Sequence, residues 1–225
     1  MKLVVMSLGG SLIVQENIDY NFIKQFKKLV SKINRKFVIV VGGGRTARIY
    51  INALAKEKVD KKIQSFIGIR VTRLNAWFLA DFFGSIASQK VPKDMEEVKN
   101  LLKKHKIVFA GALRYVPNNT SDGTAAALAH YFKTDLVNMT NVKGLYTKNP
   151  IEYKDAKFIP KISLNDFYKR ATKMKYKPGQ HFVLDQHAAE IIKKNKIKTI
   201  ILGRSLSNFE NYLKNKKFVG TIIEN

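Results

Sequence analysis

Residues 37–44 read Phe-Val-Ile-Val-Val-Gly-Gly-Gly, and this stretch decides the fold. The five apolar residues are typical of a buried strand, and the glycines let the backbone bend sharply and approach a ligand closely. The segment that begins at Arg45-Thr46-Ala47-Arg48 then has the apolar spacing of a helix. Because the N-terminus of a helix attracts anions, and two arginines lie in its first turn, the stretch predicts an anion site.

A second unit of the same kind stands at the N-terminus, where the apolar run Leu3–Leu8 leads directly into Gly9-Gly10-Ser11. Taken alone, Gly42-Gly43-Gly44 fits a plain turn between a strand and a helix equally well. No Lys-Ser or Lys-Thr pair follows it, as one would in a P-loop. Two strand–glycine–helix units within the first fifty residues favour a phosphorylated ligand over two unrelated turns.

The rest of the chain alternates between strand-like and helix-like periodicity, which predicts an α/β fold with a mainly parallel sheet covered on both faces. Helices are expected at 22–33, 47–55, 125–132, 162–171 and 188–192, and strands at 107–110, 135–139, 199–202 and 218–223. The stretch 74–83 is apolar on nearly every side, as in a helix that lies in a core or in a subunit interface. At this chain length we favour an interface, and therefore an oligomer.

The composition indicates one globular domain over residues 1–225, with a lobe boundary near residue 134 and without a membrane span or a signal peptide. The chain has no cysteine, which excludes disulfides and thiolate metal sites. Its four histidines lack the spacing of metal ligands, so no protein metal site is expected. These features predict a cytosolic protein.

The charge of the chain is strongly positive, with 41 Lys and Arg against 17 Asp and Glu and a formal net charge of +24. Such a field attracts anions in general, including nucleotides and nucleic acid. The lysines are spread over the whole chain, and no basic tail is set apart from the fold. This distribution favours a generally lysine-rich composition, as in a heat-loving organism, over a dedicated nucleic-acid surface.

Two polar loops follow predicted strands, where open α/β sheets bind ligands. Thr120-Ser121-Asp122 precedes an alanine-rich helix and fits an N-cap, a ligand loop or both, and the asparagines at 118 and 119 favour a ligand loop. Residues 140–146 fit hydrogen bonds to a ligand and stacking by Tyr146, but equally an ordinary turn. No catalytic triad, carboxylate pair or cysteine nucleophile stands out, so the chemistry expected is positioning and charge neutralisation, as in phosphoryl transfer.

In this order the motifs resemble those of the archaeal-type uridylate (UMP) kinases of the amino acid kinase superfamily. The resemblance spans nearly the whole chain. Its most specific segments are Gly-Gly-Gly-x-x-Ala-Arg-x-Tyr-Ile at 42–51 and Gly-Ile-x-x-Thr-Arg-x-Asn-Ala at 68–76. Shorter matches lie at 9–11, 120–122, 140–146 and 185–192.

The resemblance implies a three-layer α/β/α sandwich, a hexamer, and transfer of the ATP γ-phosphoryl group to UMP with Mg²⁺ carried by the nucleotide. It divides the chain into an acceptor-side lobe at 1–134 and an ATP-side lobe at 135–225. It implies that Asp122 organises the phosphoryl-transfer centre and that Arg48 binds phosphate there. The implied ATP-binding residues are Gly10, Ser11, Gly44, Arg48, Thr140, Asn141, Tyr146 and Asn149. The implied UMP-binding residues are Gly43, Ser65, Asn118, Asn119, Thr120 and Ser121.

The chain departs from the pattern of this family at several positions. The wider superfamily has Lys at the position of Ser7, and family members often have Asp at that of Ser65. Asp is also usual where this chain has Lys143 and Asn149, and the acceptor loop that usually reads Pro-Gly-His/Gln-x-Thr reads Val-Pro-Asn-Asn-Thr at 116–120. Most of these changes remove negative charge or reshape the acceptor side, so phosphoryl transfer is better supported than the identity of the acceptor.

Two other functions stay open from the sequence. Ser65 and the altered loop fit a kinase of the same fold that uses another phosphorylated acceptor. The +24 charge and the missing acidic residues fit a nucleotide-binding or nucleic-acid-binding relative without turnover. The even spread of the basic residues weighs against the last of these.

Overall fold

A computed structural model of the chain describes residues 1–115, 120–173 and 184–225. Within these ranges the helices are α1 Tyr20–Lys32, α2 Gly44–Lys56, α3 Lys61–Phe83, α4 Met95–Lys104, α5 Ser121–Tyr131, α6 Leu164–Lys173, α7 Gln186–Lys194 and α8 Leu206–Leu213. The strands are β1 Lys2–Leu8, β2 Arg35–Val41, β3 Ile107–Ala110, β4 Leu136–Met139, β5 Leu145–Tyr146, β6 Phe158–Ile159, β7 Lys161–Ser163, β8 Thr199–Leu202 and β9 Gly220–Glu224. None of the helices in these ranges combines the length and the apolar character that a membrane span needs.

One seven-stranded sheet has the order β3-β2-β1-β4-β8-β9-β7, and β5 and β6 form a separate antiparallel pair. Neighbouring strands of the large sheet are parallel except β8 and β9, which are antiparallel. Helices cover both faces, so the predicted α/β/α sandwich with a mainly parallel sheet is confirmed.

The central strands β1, β2, β3, β4 and β8 are mostly apolar because each of them contributes to two cores. Successive side chains of a strand point to opposite faces of the sheet. In β2, residues Phe37, Ile39 and Val41 belong to the core under α1, α3 and α8. Val38 and Val40 belong to the core under α4 to α7. Burial on both faces removes the alternation of polar and apolar residues that a half-exposed strand would show.

The structure confirms the predicted strands and most predicted helices, and it differs in two instructive places. The helix expected from residue 162 begins at Leu164, because Lys161–Ser163 pair with β9 as an edge strand. The helices α4 and α8 were not among the predicted elements. In α4, Met95, Val98, Leu101 and Leu102 do have the spacing of one helical face, and Val98 and Leu102 are buried.

The two predicted lobes share the large sheet. Residues before 135 supply β1, β2 and β3, and residues after it supply β4, β7, β8 and β9. The halves meet where β1 pairs with β4 in parallel. The assignment of one half to the acceptor and of the other to ATP stays a prediction.

The carboxylate of Glu224 on β9 forms two ion pairs near the edge of the large sheet. It lies 2.8 Å from the ammonium nitrogen of Lys161 on β7 and 2.7 Å from that of Lys198 before β8. Hydrogen bonds to these two lysines lower the pKa of Glu224 to about 2. The ion pairs therefore stabilise the folded state above the pKa of a free glutamate, about 4.3, and this stabilisation is lost as the pH falls towards 2.

We expect Glu224→Gln to lower the melting temperature at pH 7, and the difference from the wild type to become much smaller near pH 2, where about half of the wild-type carboxylate is protonated. Thermal unfolding followed by circular dichroism at both pH values measures this. The control is Glu210→Gln, which removes a carboxylate with a single lysine partner, Lys214, on a helix surface. A deficit that persists unchanged at pH 2 would show that the charge of Glu224 does not matter.

Candidate functional site

The two glycine turns that the sequence predicts, at residues 9–11 and 42–44, are in direct contact at the carboxyl edge of the sheet. A Cβ atom on Gly10 would stand 2.2 Å from the backbone nitrogen of Gly44 and 2.5 Å from the carbonyl oxygen of Gly42. Gly44 has a φ of +62°, a conformation that residues with side chains rarely adopt. Glycine is therefore required on both sides, because a side chain on either turn would push the ends of β1 and β2 apart.

Helix α3 holds these turns in place from one side. The carboxamide of Asn75, which is buried, donates a hydrogen bond of 2.9 Å to the carbonyl of Gly42. The hydroxyl of Thr72 accepts one of 3.0 Å from the N–H of Ala112, in the loop after β3. The Thr-Arg-x-Asn-Ala motif is thus a support for the loops that follow β2 and β3.

A cavity of about 670 Å³ opens beside the first turn of α2 and contains three arginines. Arg45 is paired with Glu16 at 2.8 Å, and Arg204, which follows β8, is paired with Asp19 at 2.5 Å. The guanidinium of Arg48 makes no hydrogen bond or ion pair with the described residues, and burial and the nearby charge of Arg45 lower its pKa. Since an arginine pKa is normally above 12, the group stays charged near neutral pH and can bind an anion.

Asp122, in the first turn of α5, faces two polar side chains of the sheet. Ser7 on β1 donates a hydrogen bond of 2.5 Å to its Oδ1 atom. The amide nitrogen of Asn138 on β4 lies 3.4 Å from the same oxygen. Ser7 and Asn138 are direct partners in the β1–β4 register, so they lie side by side under the start of α5. The Oδ1 atom of Asn138 is buried and has no hydrogen-bond partner among the described residues.

A second carboxylate lies near Asp122. Asp185 caps α7 by accepting a hydrogen bond from the N–H of Ala188, and the hydroxyl of Thr120, the N-cap of α5, donates to it. Burial, and to a smaller extent the charge of Asp185, raise the pKa of Asp122 to about 7, while the hydrogen bond from Ser7 opposes this rise. Within the described ranges, no cation contributes to this shift.

Four of the predicted ATP-binding residues follow β4, whereas Gly10, Ser11, Gly44 and Arg48 lie in the glycine turns and the first turns of the helices after β1 and β2. Thr140 and Asn141 directly follow the strand, and the hydroxyl of Thr140 is 3.3 Å from the side-chain oxygen of Asn141. Tyr146 on β5 packs against Phe158 at a ring distance of 5.4 Å. Asn149 fixes the next turn by accepting a hydrogen bond of 3.1 Å from the N–H two residues later.

The predicted UMP-binding residues lie on the opposite side, around α3 and the loop after β3. The hydroxyl of Ser65 donates to the carbonyl of Lys61 at 2.9 Å. The next residue, Phe66, packs against Tyr115 at a ring distance of 4.9 Å, directly before the polar loop. Asn118 and Asn119 lie outside the described residues.

Three polar residues at this edge of the sheet are not among the site residues predicted from the sequence. Asn138 interrupts an apolar strand, Arg204 follows the glycine after β8, and Asp185 stands directly before a helix. The first is the clearest signal, because an amide in a strand that is otherwise buried needs a partner. Arg204 and Asp185 become visible as part of the site only when the strand order brings β8 and α7 next to β4 and α5.

The arrangement as a whole can bind two phosphorylated ligands. Backbone N–H groups at the starts of α2 and α5 and of the turn at Gly10–Leu12 are at one edge of the sheet, with Arg48 beside them. One set of polar loops lies on the α3 side of the glycine turns and the other set on the β4 side.

Comparisons with known proteins agree with this geometry. The family model described as "Amino acid kinase family" matches residues 2–203. The chain is 37% identical to the uridylate kinase of Archaeoglobus fulgidus over 224 residues, covering 98% of this chain and 99% of that one. It is 35% identical to the uridylate kinase of Thermoplasma volcanium over 223 residues, covering 98% and 97%. The crystal structure of the Archaeoglobus fulgidus uridylate kinase superposes with a TM-score of 0.84, at 34% identity, over 99% of this chain and 100% of that one. The resemblance drawn from the motifs is confirmed.

Replacement of Gly10 by alanine tests the contact between the two turns. We expect Gly10→Ala to lower the free energy of unfolding by about 1–3 kcal/mol, because the new methyl group overlaps backbone atoms that cannot move aside. Denaturant unfolding measures the change.

The control for this variant is Gly68→Ala in α3. Its Cβ would meet only the flexible end of Ile51, at 3.3 Å, and alanine favours a helix over glycine. Equal stability of the two variants would show that the turns are not in contact.

Proposed function

Because the chain belongs to the amino acid kinase family and matches archaeal uridylate kinases over nearly its whole length, we propose that it transfers the γ-phosphoryl group of ATP to UMP, giving UDP and ADP. The observation that carries this proposal is the contact of the two glycine turns beside the guanidinium of Arg48, which has no hydrogen-bond or ion-pair partner among the described residues. Two phosphate groups held on these turns would lie next to each other. In the reaction, an oxygen of the UMP phosphate forms a bond to the γ-phosphorus as the bond to the bridging β–γ oxygen breaks.

The ATP side is assigned to the loops that follow β1, β2 and β4. Gly10, Ser11 and Gly44 offer backbone N–H groups to the phosphates, and Arg48 adds a charge that stabilises the transition state. Tyr146 offers a ring face to the adenine. The remaining proposed contacts are Thr140, Asn141 and Asn149.

The UMP side is assigned to the start of α5 and to α3. Thr120 and Ser121 begin α5, whose N-terminus favours the phosphate of UMP. Gly43 and Ser65 complete the described part of this side, and Asn118 and Asn119 are proposed to join them. Support for Ser65 comes from its neighbour Phe66, which contacts the residue that leads into the acceptor loop.

Catalysis in this site is positioning and charge neutralisation. Holding the acceptor oxygen and the γ-phosphorus in line converts an encounter of two anions into a step within one complex. Mg²⁺, carried by the phosphates of ATP, supplies further neutralisation of their charge, and Asp122 organises this centre at the start of α5.

A hexamer is proposed for the assembly, and exposed apolar residues support association of the chain. Leu74 and Trp77 of α3 are 63% and 41% exposed, and Tyr50 of α2 is 50% exposed. Apolar side chains grouped on neighbouring helices mark an interaction surface. The cytosolic location stays a prediction.

The function is tested by supplying the purified protein with ATP, Mg²⁺ and either UMP, CMP or AMP. We expect the highest kcat/KM with UMP, and a decrease of about 100-fold for Arg48→Gln, because one charge at the transferred phosphoryl group is lost. The control is Arg114→Gln, whose guanidinium is paired with Asp94 on the surface. Equal use of CMP or AMP would refute UMP as the acceptor, and the absence of turnover would refute a kinase.

The assembly is tested with Leu74→Glu. We expect the wild-type chain to associate and the variant to form a smaller species, because a carboxylate cannot be buried unpaired in an apolar interface. Light scattering after size exclusion measures the mass, and the fluorescence of Trp77, the single tryptophan of the chain, reports its surroundings. Ile151→Glu, at a position that is 69% exposed, is the control. An unchanged mass for Leu74→Glu would exclude this face as an interface.

A further inference from the structure

Arg204 lines the cavity beside α2, although it comes from the second half of the chain. It directly follows Gly203 at the end of β8. The same cavity of about 670 Å³ is lined by Ser11, Arg48 and Asn141, which the proposed function assigns to ATP. The proposed phosphate site therefore continues to a guanidinium that has no role in it so far.

The backbone before Arg204 is fixed against the loop that follows β4. The N–H of Thr140 donates a hydrogen bond of 2.9 Å to the carbonyl of Leu202. A Cβ atom on Gly203 would stand 3.1 Å from the Cα atom of Lys143, so the two backbones approach closely here. The position of Arg204 is thus tied to the loop that carries the proposed ATP contacts after β4.

The side chain of Arg204 is oriented by two contacts at the start of α1. Its Nη2 atom lies 2.5 Å from the Oδ2 atom of Asp19, and its guanidinium carbon lies 5.5 Å from the centre of the Phe22 ring. Asp19 is itself fixed, because its Oδ1 atom accepts a hydrogen bond of 3.0 Å from the N–H of Phe22. A guanidinium has several N–H donors in a planar fork. Apart from the bond to Asp19, those of Arg204 make no hydrogen bond with the described residues, and a ligand can use them.

The charge around Arg204 favours an anionic ligand. Three guanidiniums line the cavity, and its two carboxylates, Glu16 and Asp19, are each already paired with one of them. Arg204 also lies beside the starts of two helices, α1 with its cap Asp19 and α8 with its cap Ser205. Because the dipole at a helix N-terminus disfavours a cation, this arrangement keeps an excess of positive charge that a bound anion would neutralise.

We propose that Arg204 is a second arginine that binds the polyphosphate of ATP, in the same cavity as Arg48. The planar fork of an arginine suits the oxygens of a phosphate, to which it can donate two hydrogen bonds at once. Asp19 and Phe22 hold the guanidinium at the cavity before the nucleotide arrives, which reduces the entropy lost on binding. Since Arg48 belongs to α2 and Arg204 follows β8, ATP is held by both halves of the chain.

This role of Arg204 deepens the proposed function, on which it rests only for the identity of the nucleotide. The alternative is an ion pair with Asp19 that serves the fold alone. The side chain of Arg204 is 49% exposed, and ion pairs as exposed as this one contribute little to stability. A purely structural pair therefore predicts that nucleotide binding does not depend on the charge at position 204.

The test is isothermal titration calorimetry of the full-length protein with ATP and Mg²⁺, and separately with UMP. The wild type is compared with Arg204→Gln and with Arg204→Lys, which keeps a cation. We expect Arg204→Gln to weaken the binding of ATP by about tenfold or more, because charge-assisted hydrogen bonds to phosphate are lost, and to leave the binding of UMP unchanged. Arg204→Lys is expected to show a clearly smaller loss.

The control is Lys214→Gln at the other end of α8. Its ammonium group is paired with Glu210, and its side chain is also 49% exposed, but it does not line the cavity. We expect this variant to bind ATP as the wild type does. Circular dichroism checks that all variants fold.

Four results would overturn the role of Arg204. These are equal affinity for ATP in the wild type and Arg204→Gln, equal losses for ATP and UMP, a loss in Arg204→Lys as large as in Arg204→Gln, or the same loss in Lys214→Gln. The acceptor assay is independent of these titrations. Turnover of UMP with unchanged ATP affinity in Arg204→Gln would keep the proposed function and refute the role of Arg204. Weakened ATP binding in that variant, without any phosphorylation of UMP by the wild type, would do the reverse.

Discussion

The site depends on the direct contact between two backbone turns. β1 and β2 are neighbouring parallel strands, and each ends in a glycine turn that leads into a helical segment. A Cβ atom on Gly10 would lie 2.2 Å from the backbone nitrogen of Gly44 and 2.5 Å from the carbonyl oxygen of Gly42, which is too close for a side chain. With glycine at 10, 42 and 44 the two turns come into direct contact. Every other part of the site is positioned relative to this contact.

Helix α3 links that contact to the rest of the molecule. Its buried face holds the carbonyl of Gly42 and the N–H of Ala112 through Asn75 and Thr72, so one helix fixes the loops after two strands. Its other face carries Leu74 and Trp77 into solvent. A neighbouring chain on that outer face would restrain the same helix that supports the turns, and assembly would then help to hold the site in shape.

Positively and negatively charged side chains occupy different parts of this edge of the sheet. Arg45, Arg48 and Arg204 surround the cavity on one side, while Asp122 and Asp185 stand together at the starts of α5 and α7. In a chain with a net charge of +24, it is unexpected that no cation among the described residues contributes to the environment of the buried Asp122. The basic groups suit phosphate oxygens.

The sequence by itself determined the fold class, the strand and helix pattern and the family. Apolar runs such as 37–41 can only be buried on both faces, and glycines directly after them mark close approaches of the backbone. These signals are local, and the structure agrees with the elements that they predicted except where pairing of Ile162 with Ile223 replaces a helical turn by a strand. The helices α4 and α8 were not predicted.

Only the tertiary structure decided which polar residues meet. Ser7, Asn138, Asp122 and Asp185 are far apart in the chain, and the strand order together with the packing of α5 on α7 brings them together. The sequence could mark Asn138 as a polar residue in an apolar strand. It could not show that Ser7 is its neighbour in the register, or that its side-chain oxygen has no hydrogen-bond partner among the described residues. Contacts between distant segments depend on topology, which no local pattern encodes.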